Sequence, residues 1–228
     1  MLLCTKQIIM KKIILSITII GAMLTSCSND TNVETGEEQD VNLVENNETV
    51  EFNTISEDSR VAWRAWHLGG VMERSGNISL SNASFLVNNN ELTNVKVDLD
   101  MNSFTVESFP ADDTESGPSL TGHLQSADFF DVENYPKATF EMTEIESTDG
   151  DYNSNVTGNL TIMKSTKSIT FSANVEVTDN GVSFISENFI VDRADWNLTY
   201  NVEGTEGVPT DYIISNDLGF TIGVMVQK

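Results

Sequence analysis

The 228-residue chain is short of the residues from which most enzymes build their chemistry. It has two histidines, His67 and His123, and two cysteines, Cys4 and Cys27. A zinc site would need carboxylates to complete it, and no His-Glu-x-x-His spacing is present. No Gly-x-Ser-x-Gly elbow and no phosphate-cradling glycine loop occur. Paired acids such as Asp112-Asp113 sit in a stretch that is acidic throughout. No catalytic residue, metal or cofactor is therefore expected; a hydrolase built on His67 or His123 is the enzymatic alternative. Cations are scarce as well. Twelve Lys and Arg face 35 Asp and Glu, a formal net charge of −23. A surface of that sign repels nucleic acid and anionic membranes, and its plainest meaning is a well-solvated exterior. Long amphipathic helical periods are missing too, which argues against a helical bundle.

What the first residues do contain is the layout expected of a bacterial lipoprotein signal. Met10-Lys11-Lys12 is a basic start, and Ile13 through Met23 is an apolar run too short for an ordinary membrane span. Leu24-Thr25-Ser26-Cys27 then places small residues before a cysteine. This layout predicts a signal over residues 1–26, cleavage before Cys27, and acylation of Cys27; the alternative is an uncleaved anchor. Residues 1–9 add nothing such a signal needs, so the start is either Met1 or Met10. The mature chain would carry nine basic residues against 35 acidic, no disulfide, and a membrane attachment through Cys27. Residues 27–48, acidic and Asn-rich with no apolar period, read as a disordered tether that holds a domain over residues 49–228 off the bilayer.

From Val50 onward the pattern is that of strands. Val50, Phe52 and Thr54 alternate, and Val61, Trp63 and Ala65 oppose Ala62, Arg64 and Trp66. Val95, Val97, Leu99 and Met101 alternate strictly with Asn94, Lys96, Asp98 and Asp100, one face dry and the other wet. Later runs cover Asn155 to Met163, Ile169 to Val177, Val182 to Val191 and Leu218 to Val226. Turns are signalled at Asn88-Asn89-Asn90 and at Asp179-Asn180-Gly181, the latter from the fitness of Asn-Gly for positive φ. Asp192 to Trp196 makes a corner. Many strands joined by turns predict an all-β antiparallel sandwich or barrel. Strands near ten residues long suit a tall barrel better, and closure would remove exposed edges.

Residues 122–143, GHLQSADFFDVENYPKATFEMT, break this rhythm and organise the rest. A polar segment able to form a short helix near residues 119–127 leads to adjacent Phe129 and Phe130, flanked by Asp128 and Asp131. Tyr135-Pro136 marks the entry to a strand in which Ala138, Phe140 and Met142 alternate with Thr139, Glu141 and Thr143. An aromatic pair at a loop-to-strand junction sits where a rim or mouth would be. Phe129 and Phe130 are either core plugs capping one end or the wall of an apolar pocket. His123 either bonds a ligand head group or satisfies a helix-end carbonyl. Arg193 either pairs with Asp192 or Asp195 or binds an anion.

These residues closely resemble the signature of the YceI-like, polyisoprenoid-binding family. Two further blocks match it: Gly158-Asn159-Leu160-Thr161-Ile162 with Thr166-Lys167-Ser168-Ile169-Thr170-Phe171, and Ile190-Val191-Asp192-Arg193 with Trp196 and the closing strand. Asp98 to Ser103 is similar to the family's Asp-Met strand end. Two departures fall near the mouth. Met163-Lys164-Ser165 stands where a glycine usually opens a hairpin, and Trp66-His67 replaces small and basic residues. The resemblance implies an eight-stranded antiparallel lipocalin-like barrel with an apolar tunnel that holds an isoprenoid chain. Strand phase nominates Trp63, Val97, Leu99, Met101, Phe104, Leu120, Leu124, Phe140 and Phe171 as lining, beside His123, Phe129, Phe130 and Arg193, although phase alone does not say which face is inner. The expected function is non-catalytic binding, transport or sequestration of an isoprenoid quinone or polyprenyl phosphate in the bacterial cell envelope, at the periplasmic or cell-surface face of a membrane. The alternative is a filled barrel serving envelope assembly or interaction. A homodimer is left open.

Overall fold

In the computed structural model, residues 30–43, 46, 48–68 and 72–228 are described; the signal expected over residues 1–26 and Cys27 lie outside them. The fold is mostly β, with a single α-helix among the described residues. Fourteen strands form one mixed sheet: β1 (Thr31–Asn32), β2 (Thr35–Gly36), β3 (Val50–Phe52), β4 (Thr54–Ile55), β5 (Arg60–His67), β6 (Arg74–Ile78), β7 (Leu80–Asn88), β8 (Glu91–Asp100), β9 (Lys137–Ser147), β10 (Ser154–Ile162), β11 (Ser165–Thr178), β12 (Gly181–Ser186), β13 (Phe189–Asp192) and β14 (Ile214–Gln227). The main path runs β1-β13-β14-β12-β11-β10-β9-β8-β7-β3, and every pairing but the β1–β13 one is antiparallel.

The segment that ends this path at β3 continues onto a strand near its other end, β14. β3 pairs with β7 while β4, one residue further on, pairs with β14, and Asn53 N–H donates to the Gln227 carbonyl (3.0 Å). At the opposite end of the strands β5 runs along β14 and β6 along β5. The segment after β8 then bonds to β6, with Thr105 N–H donating to Asn77 O (2.9 Å) and Glu107 N–H to Ser75 O (2.8 Å). Gly76 makes this approach possible, because a Cβ there would collide with the Thr105 backbone.

The strand expectations hold in outline, and the differences have local causes. The run from Val182 to Val191 is two strands, β12 and β13, interrupted at Glu187-Asn188. The β11–β12 hairpin turns where expected, but neither Asn180 nor Gly181 takes a positive φ. Gly181 lies in the strand, where the Val226 carbonyl would crowd a Cβ at 2.6 Å. The left-handed turn belongs instead to β7–β8, with Asn89 and Asn90 at φ 52° and 64°. Met163, in the glycine's place, is itself left-handed at φ 52°.

The helix, α1 (Ser116–Gln125), overlaps the span expected for it, near residues 119–127, and starts and ends slightly earlier. Pro118 fits its first turn, where no intrahelical donor is needed. Asp113 Oδ1 accepts from Ser116 N–H (2.9 Å) and Glu115 N–H (3.2 Å), satisfying donors at the helix start.

The largest departure is the segment expected to be a disordered tether. Its described part is laid on the sheet. Thr31 and Val33 N–H groups donate to Asn188 O (3.1 Å) and Ile190 O (3.0 Å), β2 pairs with β11, and Gln39 exchanges two bonds with the Asn159 side chain. The cause is an open edge. β12 covers β11 only from Ala173 onward, so the first half of β11 and the outer edge of β13 have no strand between them. Residues 31–36 fill that split, and Val33 packs against the core.

Candidate functional site

The strands bury one apolar phase, and the register divides that interior along its length. Near the turns at Asn89-Asn90, residues 148–153 and Asp179-Asn180 the inward residues meet: Phe52, Val87, Leu92, Val156, Ala173, Val182 and Val226 are all buried core. Toward the other end they do not. An apolar cavity of about 460 Å³ lies there, within the 300–1,000 Å³ usual for ligand sites. Along each strand the change falls at one level. Val95, Val97 and Leu99 border the cavity and Leu92 does not; Ala138 and Phe140 do and Met142 does not; Leu160 and Ile162 do and Val156 does not; Val224 does and Val226 does not. Phe85 and Phe184, in edge contact at 6.1 Å between centroids, form part of the floor.

Twelve of the thirteen residues nominated from the sequence border this cavity: Trp63, Val97, Leu99, Met101, Phe104, Leu120, His123, Leu124, Phe129, Phe130, Phe140 and Arg193. Phe171 does not. It lies behind the wall, stacked on Phe189 (4.6 Å) and tilted against Phe140 (5.5 Å), both of which do face the void. Strand phase puts Phe171 on one face with Ile169 and Ala173, but it carries no information on the rings of Phe140 and Phe189 that stand against it. Phe220 and Ile222, in phase with Val224, also line the cavity. So do Phe85, Leu160, Phe184 and Phe189, inward members of recognised strands. Phe109, in an irregular loop, gave no periodic signal.

The organising stretch closes the open end. After α1 the chain turns back on the helix: Ser126 Oγ donates to His123 O (2.7 Å), Phe130 N–H to Leu124 O (3.1 Å) and Val132 N–H to Gln125 O (3.0 Å), with Asp131 left-handed at φ 45°. In a strand, adjacent phenylalanines would face opposite sides. In this turn both are buried and both border the cavity. Phe130 meets Phe104 (5.5 Å), which meets Trp63 (4.8 Å), whose indole N–H donates to Thr105 O (3.0 Å). Phe129 meets His123 (5.1 Å) and Tyr200 (4.9 Å). Opposite, Gly158 leaves room for Phe140: its own Cβ would fall within contact radius of that ring.

Polar groups gather at this end alone: His67, Arg74, Ser116, Ser119, His123 and Arg193. His123 Nε2 lies 3.2 Å from Asp128 Oδ2, and His67 Nδ1 lies 2.9 Å from the Asp211 carbonyl. Arg74 sets its guanidinium 4.4 Å from the Phe109 ring centroid and donates to the Glu73 carbonyl (3.1 Å). Arg193 answers neither alternative posed by the sequence. It is buried, and it donates to four carbonyls: Leu198 (2.7 Å), Ser215 (3.0 Å), Tyr200 (3.0 Å) and Ile214 (3.2 Å). Burial pulls its pKa below the usual arginine value, opposed by Asp192 and Glu203. It ties the loop after the Arg193–Trp196 turn to the start of β14, and its donors are occupied by that task. Among the described residues no cluster of His, Cys, Asp and Glu is placed to hold a metal ion.

The family follows from a match over most of this fold. A family model of the YceI-like domain matches residues 52–224. The chain belongs to the YceI-like family. A UPF0312 protein of Pseudomonas putida F1 is 51% identical over 51 residues, covering 22% of this chain and 26% of that protein. The chain thus aligns with about a quarter of the length of the curated relatives it matches. The fold is similar to that of a polyisoprenoid-binding domain from Saccharophagus degradans, at 12% identity and TM-score 0.52, over 77% of this chain and 97% of that one. Burkholderia cenocepacia BcnA is similar at 16% identity and TM-score 0.50, over 73% and 95% respectively.

Proposed function

We propose that this YceI-like chain is a non-catalytic carrier or sequestering protein for an isoprenoid lipid, an isoprenoid quinone or polyprenyl phosphate, in the bacterial cell envelope. The sheet is then a closed eight-stranded lipocalin-like barrel, a reading supported by the bonds of residues 50–55 and 103–107 across its two ends. Acylated Cys27 holds it on a membrane. The observation that carries the proposal is the cavity: apolar along its depth, floored by phenylalanines and polar only at its open end. A branched hydrocarbon asks for that wall, and a head group asks for that rim.

Energetics suit exchange. Burial returns roughly 25 cal/mol per Å² of apolar surface, so a tail of about forty carbons with ~800 Å² of surface gains at most about 20 kcal/mol over water, and less for the part that stays outside the cavity. The tail gains nearly as much in a bilayer, so the cavity takes up and returns lipid without trapping it. At the rim, His67, Ser116, Ser119, His123 and Arg74 offer hydrogen bonds to a head group, whereas Arg193 is engaged elsewhere.

The test is extraction. Mature protein purified from host membranes is washed free of loosely held lipid and extracted with organic solvent, and prenyl lipids are measured by mass spectrometry. Near-stoichiometric isoprenoid is expected, and it disappears in Ala138→Phe, whose ring enters the cavity. Equal traces in both proteins would end the proposal and leave an interaction module in its place.

A further inference from the structure

The strap over residues 30–43 has a consequence for how the domain meets its membrane. Asp30 is held by a 2.6 Å ion pair to Arg64, and the next residues are bonded to β13. Only two residues separate Asp30 from Cys27, so the two Cα atoms lie at most about 11 Å apart even when the link is fully extended. A free coil of twenty residues would have spanned roughly 25 Å and allowed any face to approach. The strap therefore acts as a short leash with a defined origin.

That origin is a particular corner. Asp30 shares a surface cleft with Trp66, Glu73 and Ser215. Glu73 follows Met72, and Ser215 lies just beyond the loop that carries Tyr212. These two loops are bonded to one another, Leu68 N–H donating to Ile213 O (3.0 Å). Met72 is 53% exposed and Tyr212 64%, two of the five exposed large apolar side chains among the described residues. Trp66, half-buried, donates its indole N–H to Glu73 (3.1 Å). Trp66, His67 and Ile214 also border the cavity. Leash origin, exposed apolar groups and cavity mouth thus coincide.

We infer that this corner is the membrane-contacting surface of the domain, with Met72 and Tyr212 seated in the interface of a bilayer and the cavity opening onto its lipid. The inference rests on the reading that Cys27 is acylated. Tyr and Trp suit that depth, being apolar bodies with a polar tip. Glu73, Asp211 and Asp217 at the same corner, on a strongly acidic protein, oppose an anionic surface, so the partner is a bilayer with a zwitterionic face. Contact is driven by apolar insertion and the leash, not by charge.

The test uses the mature acylated protein in phosphatidylcholine vesicles. Cys4 leaves with the signal and Cys27 is blocked by lipid, so an introduced cysteine carries the only free thiol. An environment-sensitive dye is attached in Met72→Cys, Tyr212→Cys, Ile185→Cys and Val50→Cys, all at exposed positions. Lipid-phase nitroxides are expected to quench the dye several-fold more strongly at 72 and 212 than at 185 and 50. Equal quenching at all four sites of vesicle-bound protein would overturn the inference while leaving the cavity reading intact. Intact mass and flotation report acylation separately; an unacylated chain that stays off the vesicles removes the leash and overturns the inference at its premise.

Discussion

The hollow and filled halves of the interior are made from the same strands and nearly the same residue types. β9 contributes Ala138 and Phe140 to the void and Met142 to the packed region; β14 contributes Phe220, Ile222 and Val224 to the void and Val226 to the packed region. Side-chain chemistry does not separate them. What differs is what closes each end. At the packed end short turns and the β3–β4 segment draw the strands together, and Phe52 enters between them. At the open end α1 and the 126–135 turn lie across the strands and cover space without filling it. A cavity here is a property of the closure, and the strands only make it apolar.

The sharpest way to break this comparison is to remove one ring from each half. Phe171 is buried among Phe140, Phe184 and Phe189. Phe171→Ala should cost about 3–5 kcal/mol by denaturant unfolding, the range for opening a cavity in a packed core. Phe220 is half-buried and already borders empty space, so part of its surface has no partner atoms to lose. Phe220→Ala should cost about half as much, since only the contacted side forfeits packing. Equal losses would mean that the two halves are equally packed.

The reverse substitution asks the same question with a smaller effect. Ala173 and Ala138 both face inward and both are buried, but only Ala138 borders the cavity. Ala173→Phe forces a ring into occupied space and should destabilise by roughly 1–3 kcal/mol or more. Ala138→Phe has room and should leave stability within about 1 kcal/mol of the parent, since it meets no packed neighbour across the void. Chemical denaturation of the two variants side by side decides it.

Which parts of this were legible follows from range. Strand phase is local, so Val97, Leu99, Phe140 and Trp63 were assigned to a face from spacing alone, and the family signature supplied Phe129 and Phe130. Depth is not local. Whether Phe171 touches a void or another ring depends on Phe189 and Phe184, residues 13 to 18 positions away on other strands. Arg193 was visible as a rare cation, but its partners are four backbone carbonyls that no side-chain pattern announces. The strap is hidden from the sequence for a related reason. Residues 31–36 lack an apolar period because what they satisfy is the backbone of an open edge, and that edge exists only because β12 stops covering β11.

The smallest expected effect concerns the closure itself. Asp113 sits ahead of α1 and accepts hydrogen bonds from Ser116, through its side chain and its backbone, and from Glu115; these hold its carboxyl below the ordinary aspartate value of 3.8. A carboxyl with a depressed folded-state pKa favours the fold at pH above its unfolded value, and that contribution is lost as pH falls through the lower, folded value. Mild acid below pH 3.8 should therefore loosen the start of α1 while the ring-packed half keeps its protection. Amide hydrogen exchange at Ser119 N–H, bonded to Glu115 O at 3.0 Å, against Phe171 N–H on β11 would show it. In Asp113→Asn the cap no longer titrates, so the protection of Ser119, its exchange relative to the intrinsic rate at each pH, should lose its acid dependence. If the dependence survives that substitution, the lid over the cavity is held by other carboxylates, and its closure is not governed from the helix start.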